Sequence, residues 1–278
     1  MAKVFVAGPV SWNRLVRLAE LPRPRPHTTF ARGHRAAVGG TSAGKALNLA
    51  RLGADVTLRT VLGDDAPGRA VADVLAAGGV HLIAERAAVT EQHLNLMSDA
   101  GERVSIYLEL PELPEPRHDD RALAALAEAD AAVVDLSEPS RPLLAAARRM
   151  GVPVWCDVHD YDGTADYHRD FVSAADYLFL NDDGMSADRL TAFLADVTAN
   201  GTRTAVATLG AQGAVAAVSG GTHRVAAVPV DDIVDVNGAG DAFFAGFLVA
   251  HLNGADVPAA LTAGAAQAAR CLCSPDLV

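Results

Sequence analysis

The sequence contains little that would tie it to a secretory compartment or a membrane. Its 278 residues include only three cysteines, Cys156, Cys271 and Cys273, and this odd number without paired spacing predicts neither a disulfide framework nor a tetrahedral metal site. No apolar run reaches the roughly 20 residues that a membrane span requires. Residues 1–10 indicate a first strand rather than a signal peptide. We therefore expect a soluble, cytoplasmic protein.

Positive charge is also scarce. The chain has 23 Lys and Arg against 34 Asp and Glu, a formal net charge of −11. This balance disfavours nucleic acid as a partner, because phosphate backbones attract basic surfaces. Residues 1–35 are the exception, with seven basic residues and one acidic residue. They form either a solvated basic face or a surface over an anionic ligand.

Short apolar runs alternate with helical patterns along most of the chain. The runs KVFVAG, DVTLRTVLG, DAAVVDL, VPVWCDV, ADYLFLN and RTAVATLG indicate buried strands. The stretch PGRAVADVLAAGG indicates a helix, with Pro67 near its first turn and Gly78 after its end. This alternation predicts an α/β fold with a mostly parallel sheet covered on both faces. Ligands of such sheets lie at the carboxyl ends of the strands.

Two segments break the alternation. Residues 27–38 and 91–110 both resemble antiparallel strands, and the second contains a hairpin-like turn at Asp99–Gly101. We predict that segments near 11–38 and 91–110 form a small β-lid over the ligand edge of the sheet. The whole chain, 1–278, is then one domain.

The stretch DVNGAGDAFFAGF, residues 235–247, combines two aspartates with two glycines before an apolar helix. The helix is expected to begin near Ala239–Asp241. Gly238 and Gly240 would let a ligand approach the backbone, and the N–H groups of the first turn attract an anion. Asp241 is either a helix cap or a general base that takes a proton from an attacking hydroxyl.

A second glycine-containing stretch, TLGAQGAV (208–215), connects two predicted strands. Gly210 and Gly213 are ordinary turn residues in one interpretation. In the other, they border a nucleotide at the carboxyl end of a strand.

The stretch GGTSAGKALNLARLG, residues 39–53, nearly matches a Walker A phosphate loop. Gly39, Gly44 and Lys45 fit the pattern, but Ala46 stands where the Mg²⁺-binding hydroxyl is required. Asp135 ends a stretch similar to a Walker B strand. A P-loop enzyme is thus a competing hypothesis, which the missing hydroxyl disfavours.

Taken together and in this order, these stretches resemble the ribokinase-like, PfkB-type carbohydrate kinase family. DVNGAGD is similar to the family signature Asp-Thr-x-Gly-Ala-Gly-Asp, and the glycine pair 39–40 before RLG is similar to its N-terminal signature. The family has similar sequences at the positions of four further stretches: VAGPVSWN (6–13), VLGDDAPG (61–68), DAGER (99–103) and TLGAQG. The resemblance covers nearly the whole chain.

The resemblance implies a three-layer α/β sandwich with a small β-lid, and transfer of the γ-phosphoryl group of ATP to a hydroxymethyl group of a sugar. Mg²⁺ would bridge the ATP phosphates, with K⁺ as a further cofactor. Asp241 would be the general base, and Gly238, Ala239 and Gly240 the anion hole. The remaining roles by position are acceptor contacts at Asn13, Gly39 and Gly40, ATP contacts at Asn181, Thr208, Gly210 and Gly213, and a monovalent cation near Asp235.

Several positions depart from the family pattern. Val236 replaces the signature threonine, and Asn13 stands where many members have Asp. In NDDGM (181–185), Gly184 replaces the family glutamate, so we expect Asp182 or Asp183 to contribute to the Mg²⁺ shell.

The N-terminal motif departs as well. Gly44 takes the place of the usual Asn, whereas a shifted register would restore that Asn as Asn48. In the register that aligns Gly44 with the usual Asn, Lys45 has no family role, and we expect it to contact an anionic group of the substrate.

The sequence leaves open which acceptor is phosphorylated and whether the chain is an enzyme at all. A nucleoside kinase of the same family would need a base pocket, for which Phe30, Trp12 and Tyr107 are candidates, although aromatic residues make up only 5% of the chain. A sugar-binding regulator on a kinase scaffold is a third interpretation. The basic N-terminal segment with Lys45 would suit a phosphorylated sugar. An open lid edge suggests a homodimer.

Overall fold

The computed structural model describes residues 1–112 and 119–274, and it contains two sheets. Their strands in chain order are β1 (Lys3–Ala7), β2 (Ser11–Leu18), β3 (Gly33–Gly39), β4 (Asp55–Gly63), β5 (His81–Ala87), β6 (Gln92–Ser98), β7 (Arg103–Glu109), β8 (Ala131–Val134), β9 (Val154–Asp157), β10 (Tyr177–Asn181), β11 (Thr204–Thr208), β12 (Ala214–Val218) and β13 (Gly221–Val225).

Nine strands form the large sheet, in the order β13-β12-β11-β10-β9-β8-β1-β4-β5. Seven of them, from β11 to β5, run parallel, and the hairpin of β12 and β13 adds an antiparallel edge. The central strands β1, β8 and β9 are almost wholly buried, as their continuous apolar runs predict.

Eight helices cover the large sheet within the described residues. They are α1 (Thr41–Arg51), α2 (Ala66–Ala77), α3 (Asp120–Ala127), α4 (Arg141–Met150), α5 (Arg169–Ala174), α6 (Ala187–Ala199), α7 (Ala239–Leu252) and α8 (Val257–Leu272). One apolar core joins the sheet to α1, α2, α7 and α8, and a second joins its other face to α3–α6. This is the predicted α/β sandwich. None of these helices is both long and apolar enough to cross a bilayer.

The second sheet has four strands, in the order β3-β2-β6-β7. The pairs β2–β3 and β6–β7 are antiparallel, as expected of two hairpin-like segments, but β2 and β6 join them in parallel. The expected strand at 27–38 begins only at Gly33, because residues 27–32 are exposed and have no core to pack against. We refer to this small sheet as the lid.

Helix α7 begins at Ala239, where the sequence predicts it. Phe243, Phe244, Phe247 and Leu248 are all buried in one of the two cores. Phe244 and Phe247 pack edge-on against Trp155 of β9. This aromatic packing fixes α7 on the sheet, and the first turn of α7 therefore has a defined place beside the strand ends.

Candidate active site

The carboxyl ends of four neighbouring strands meet beside the first turn of α7. Asp135 follows β8, Asp157 ends β9, Asn181 ends β10 and Thr208 ends β11. Asn181 and Thr208 are register partners in adjacent strands. Parallel strands bring their carboxyl ends to one edge, which explains why residues so far apart in sequence converge here.

The N-terminus of α7 is built to hold an anion. Gly238 adopts a left-handed conformation with φ of 81°, which lets the chain turn sharply into the helix. The first N–H groups of a helix have no partner within it and carry a partial positive charge. A Cβ atom on Gly240 would meet no heavy atom within 4 Å, so the space in front of this turn is open. The geometry suits a phosphate.

Asp241 lies in this first turn with its side chain 14% exposed. Its Oδ1 accepts hydrogen bonds from Thr41 Oγ1 at 2.6 Å and from Lys45 Nζ at 2.8 Å. Both donors belong to α1, so the carboxylate is held from the protein side. Among the described residues Oδ2 has no hydrogen-bond donor, and Asp241 lines the cleft.

The glycine pair 39–40 permits close approach to β2 at Gly39 and to the β1–β2 connection at Gly40. A Cβ on Gly39 would lie 2.0 Å from Nδ2 of Asn13, and one on Gly40 would lie 2.6 Å from the carbonyl oxygen of Pro9. Gly40 also has a φ of 88°, which other residues rarely adopt. Asn13 lines the cleft, and its Oδ1 accepts a hydrogen bond from Ser11 Oγ.

Lys45 does not line the cleft, contrary to our expectation of a substrate contact. Its side chain is fully buried, and Nζ lies 3.1 Å from Asp135, 3.1 Å from Asp157 and 2.8 Å from Asp241. Three carboxylates and Thr41 already surround the ammonium group. The physical reason for the difference is that Lys45 lies on the inner face of α1, towards the strand ends.

The Walker A interpretation is wrong for the same segment. A phosphate loop connects a core strand to a helix, whereas residues 39–40 connect the lid strand β3 to α1. The structure favours the register in which Gly44, not Asn48, faces the active site. A Cβ on Gly44 would lie 2.6 Å from Asp241 Oδ2, while Asn48 is buried and bonded to Gln267 of α8.

The cleft between the lid and the large sheet has a volume of about 1350 Å³. One face of the lid is turned towards this cleft. Its side chains form rows of register partners across β2, β6 and β7: one row is Asn13, His93 and Tyr107, and the next is Leu15, Asn95 and Ser105. His93 is bonded to Glu91 at 2.8 Å, and its ring lies 4.0 Å from that of Tyr107. The inner face of the lid is therefore mostly polar but carries few unpaired charges.

Asn95 lies two positions after His93 on β6, and alternate strand positions share a face, so both side chains are on the inner face of the lid. Asn95 is 5% exposed, it lines the cleft, and its Oδ1 has no hydrogen-bond partner among the described residues. A buried acceptor without a partner is unfavourable unless a ligand satisfies it. His159 also lines the cleft, in a left-handed conformation with φ of 51°.

The signature loop before α7 is connected to the lid. Asp235 Oδ1 accepts hydrogen bonds from the backbone and side-chain nitrogens of Asn237, and its Oδ2 lies 3.4 Å from Arg35 of β3. Arg103 of β7 donates to Asn237 Oδ1 at 2.6 Å. Val236 lines the cleft and is 45% exposed. Nothing in the structure explains the loss of the signature hydroxyl there.

The residues expected at ATP follow β11. Gly210 and Gly213 bracket a single turn between β11 and β12, both with positive φ. A Cβ on Gly213 would lie 2.0 Å from the carbonyl oxygen of Val225, whereas one on Gly210 would meet nothing within 4 Å. Gly213 therefore serves the turn, and Gly210 leaves open space beside Thr208. Of the four residues expected at ATP, Asn181 lines the cleft, whereas Thr208, Gly210 and Gly213 lie outside its lining.

Residues 181–185, where Mg²⁺ is expected to bind, have Gly184 in place of the family glutamate, and the structure gives a steric reason for this difference. A Cβ on Gly184 would lie 2.2 Å from the carbonyl oxygen of Asp160 and 2.6 Å from that of Tyr161. Backbone thus fills the space that a glutamate side chain would need. Asn181 lines the cleft and accepts a hydrogen bond from the backbone of Asp183, whose side chain is exposed. Among the described residues, no group of three or more Asp, Glu, His or Cys side chains is arranged to hold a metal ion.

Burial and charge act against each other in the acidic cluster. Burial raises the pKa of Asp135 above its ordinary value, although the ammonium of Lys45 opposes this. Burial also opposes ionisation of Asp157, but His159 and Lys45 outweigh it and lower the pKa of Asp157 to about 2. Asp157 is therefore a carboxylate at neutral pH, at the wall of the cleft.

Comparison with known proteins agrees with this geometry. Residues 1–277 match the pfkB family carbohydrate kinases. The chain is 32% identical to an acarbose 7(IV)-phosphotransferase of Actinoplanes sp., over 94% of this chain and 89% of that protein. It is 30% identical to an ATP-dependent ribose-1-phosphate kinase of Halopiger xanaduensis, over 94% and 88%.

Solved structures give the same fold. A microbiome-derived acarbose kinase superimposes with a TM-score of 0.87 at 31% identity, covering 98% of this chain and 93% of that one. A ribokinase of Arabidopsis thaliana in complex with ribose and ATP superimposes with a TM-score of 0.84 at 22% identity, covering 100% and 95%. The resemblance seen in the signature stretches is thus confirmed, and the chain belongs to the pfkB family of carbohydrate kinases, enzymes that transfer a phosphoryl group from ATP to a sugar.

Proposed function

We propose that Asp241 is the general base of this kinase and that the backbone N–H groups of Gly238, Ala239 and Gly240 form its anion hole. The observation that carries the proposal is the position of Asp241. Its carboxylate lies in the first turn of α7 and lines the cleft, with Oδ1 held by two donors and Oδ2 without a donor among the described residues. Base and anion hole therefore belong to one rigid turn.

The reaction follows from this arrangement. Asp241 Oδ2 takes the proton of the acceptor's hydroxymethyl group while that oxygen forms a bond to the γ-phosphorus of ATP. The bond between the γ-phosphorus and the bridging oxygen breaks, and ADP leaves with the electron pair. The N–H groups of the turn stabilise the charge on the transferred group, which is the main contribution that a protein makes to phosphoryl transfer.

Replacing the carboxylate tests the assignment. Asp241→Asn keeps the size of the side chain but removes the base, and kcat should fall by about 10²–10⁴-fold with an unchanged melting temperature. Asp188→Asn, an exposed aspartate on α6, is the matched control and should keep the wild-type rate. A kcat of Asp241→Asn within a few-fold of the wild type would refute the assignment.

The acceptor is a neutral sugar of more than one ring, in the class of acarbose. The cleft of about 1350 Å³ exceeds the roughly 300–1,000 Å³ usual for small-molecule sites. Tyr107 lines it with its ring 61% exposed, which suits stacking on a sugar face. Two relatives at 31–32% identity are named for acarbose.

Charge in the cleft supports a neutral acceptor over a phosphorylated one. Three of the four arginines that line the cleft have partners: Arg35 faces Asp235, Arg103 donates to Asn237, and Arg59 pairs with Glu85, whereas the fourth, Arg51, is exposed. Phe30, one of the candidates for a nucleoside's base pocket, is 85% exposed and lies outside the lining residues of the cleft.

A panel of acceptors separates these classes by ADP release. Acarbose and maltotetraose should give a higher kcat/KM than ribose, ribose-1-phosphate or inosine. Added salt screens the attraction between charged groups, so it would raise the KM for a charged acceptor. The KM for a neutral acceptor should stay nearly unchanged. Preference for ribose-1-phosphate with a strong salt dependence would contradict the neutral class.

Mg²⁺ and a monovalent cation complete the proposal. Asp183 and Asn181 are the residues that would hold Mg²⁺, which usually binds one or two protein ligands together with substrate phosphates, and there it would neutralise phosphate charge. For a monovalent cation the fit is poorer, because Asn237 and Arg35 already engage both oxygens of Asp235. Activity with Na⁺ or K⁺ as the only monovalent cation measures this dependence.

The lid also supports a homodimer. Its outer face carries Leu94, Leu96, Val104, Ile106 and Leu108, and the last three are 41–49% exposed. A two-fold dimer needs only one self-complementary patch, since both copies contribute the same surface. A second copy of the chain is therefore the occupant that we propose for this face.

A further inference from the structure

Lys45 is the most unusual feature of the active site, because it is a fully buried lysine with no role in the family signature. Its ammonium group lies 2.8 Å from Asp241 Oδ1, and 3.1 Å from each of Asp135 Oδ1 and Asp157 Oδ2. It also bonds to Thr41, the second donor to Asp241. One cation thus touches the proposed base, both strand-end carboxylates and the hydroxyl that orients the base.

The cluster has an excess of negative charge: Lys45 contacts all three carboxylates, and His159 lies 3.6 Å from Asp157 alone. Burial alone would lower the pKa of Lys45, but Asp135, Asp241 and Asp157 raise it well above the ordinary value, so the group stays charged. Without the ammonium, three carboxylates would face one another next to the site where ATP phosphates must approach. Like charges at such distances repel strongly in a poorly solvated site.

The geometry also ties the base to the core of the protein. Asp135 is fully buried and accepts a hydrogen bond from Ser42 Oγ at 2.6 Å. Asp135 thereby anchors Lys45 from behind, and Lys45 in turn bonds to Oδ1 of Asp241. Two side chains of α1 thus fix Oδ1 and, with it, the orientation of the carboxylate.

We propose that Lys45 is a positioning residue for phosphoryl transfer: its ammonium orients the Asp241 carboxylate and balances the charge of Asp135 and Asp157 beneath the phosphate site. The inference rests on the proposed role of Asp241 as the base. It predicts that loss of the ammonium affects the chemical step more than the binding of either substrate, because Lys45 is fully buried and does not line the cleft.

The test uses variants that separate charge from folding. Lys45→Met retains most of the side-chain volume without the charge, and Lys45→Met with Asp135→Asn also removes one of the carboxylates left without a counter-ion. Lys3→Met, an exposed lysine paired with Glu128, is the matched control and should keep the wild-type rate. For each variant we would measure the melting temperature, the Kd for ATP, and kcat and KM for the acceptor.

A folded variant without the ammonium should lose about 100-fold in kcat, in the range of a general-base contribution, while the Kd for ATP and the acceptor KM change less than about threefold. A kcat within about threefold of the wild type would overturn the proposal. Failure of both the single and the double variant to fold would also overturn it, in favour of a purely structural role.

Chemical rescue distinguishes the charge from the volume. Lys45→Ala with Asp135→Asn removes the atoms of one n-propylamine molecule, so n-propylammonium should restore kcat in a saturable manner and n-propanol should not. Equal rescue by both compounds would overturn the proposal. Asp241→Asn separates the base role of Asp241 from the positioning role of Lys45. If Asp241→Asn is active, the base assignment fails. If Asp241→Asn is inactive and the Lys45 variants are active, only the positioning role fails.

Discussion

Gly39 and Asn13 approach so closely that a Cβ on Gly39 would lie 2.0 Å from Asn13 Nδ2. The first glycine of the N-terminal motif therefore makes room for the amide of Asn13, which lines the cleft. Asn13 sits in the lid row that also contains His93 and Tyr107. A substitution at Gly39 should act on acceptor recognition through this amide.

We predict that Gly39→Ala raises the acceptor KM by roughly 3–10-fold, the effect of losing about one hydrogen bond of 0.5–1.5 kcal/mol. The Kd for ATP should not change, since the strand ends that would bind it are untouched. Gly33→Ala at the start of the same strand is the matched control, because a Cβ there meets nothing within 4 Å. Equal KM values for the two variants would argue against an acceptor role of Asn13.

Gly184 gives a second steric prediction. Restoring the family glutamate by Gly184→Glu should destabilise the protein by about 1–3 kcal/mol, because the side chain must displace the backbone at Asp160 and Tyr161. Asp182→Glu, an exposed neighbour, should leave stability unchanged. Urea unfolding measures both. A stable Gly184→Glu protein with tighter Mg²⁺ dependence would mean that this segment adjusts to the family arrangement.

The sequence predicted the parts of the site that depend on local patterns. The start of α7, the turn at Gly210 and Gly213, and the lid hairpin at Asp99–Gly101 follow from glycine placement and apolar periodicity, and the structure has each of them. These features need only a few neighbouring residues, so a single sequence contains the required information.

Lys45 and Gly184 could not be predicted in the same way. The partners of Lys45 come from β8, β9 and α7, and the atoms that exclude a side chain at Gly184 belong to residues 160–161. Such contacts depend on tertiary packing. The signal available for Lys45 was its helical spacing, which places it on the same face of α1 as Thr41 and Asn48.

The outer face of the lid makes the oligomeric state testable. Ile106→Lys places a charge in the proposed interface and should shift the protein from dimer to monomer in sedimentation velocity, while the inward-facing rows of the lid stay intact. Arg14→Ala, in the same row of the outer face but two strands away on β2, is a control without loss of apolar area. A wild-type protein that is monomeric at micromolar concentrations would refute the dimer.

The partly buried imidazole of His251 should make the stability of the folded protein depend on pH. It shares a 2.8 Å hydrogen bond with Tyr177 Oη and packs against Trp155. Burial lowers its pKa below the ordinary value of about 6.5, and the charge of Arg203 acts in the same direction. Below about pH 6.5 the unfolded chain therefore binds a proton at this position more readily than the folded chain does, so stability is lost as the pH falls.

We accordingly expect the melting temperature of the wild type to fall between pH 7.5 and pH 5.5, and His251→Gln to reduce that fall. Glutamine retains an acceptor for Tyr177 but does not titrate. His27→Gln, in an exposed segment before β3, should keep the wild-type dependence. His168, whose pKa burial also lowers, leaves a residual slope in the His251 variant. If His251→Gln and the wild type lose the same number of degrees, the buried imidazole does not control acid sensitivity in this range.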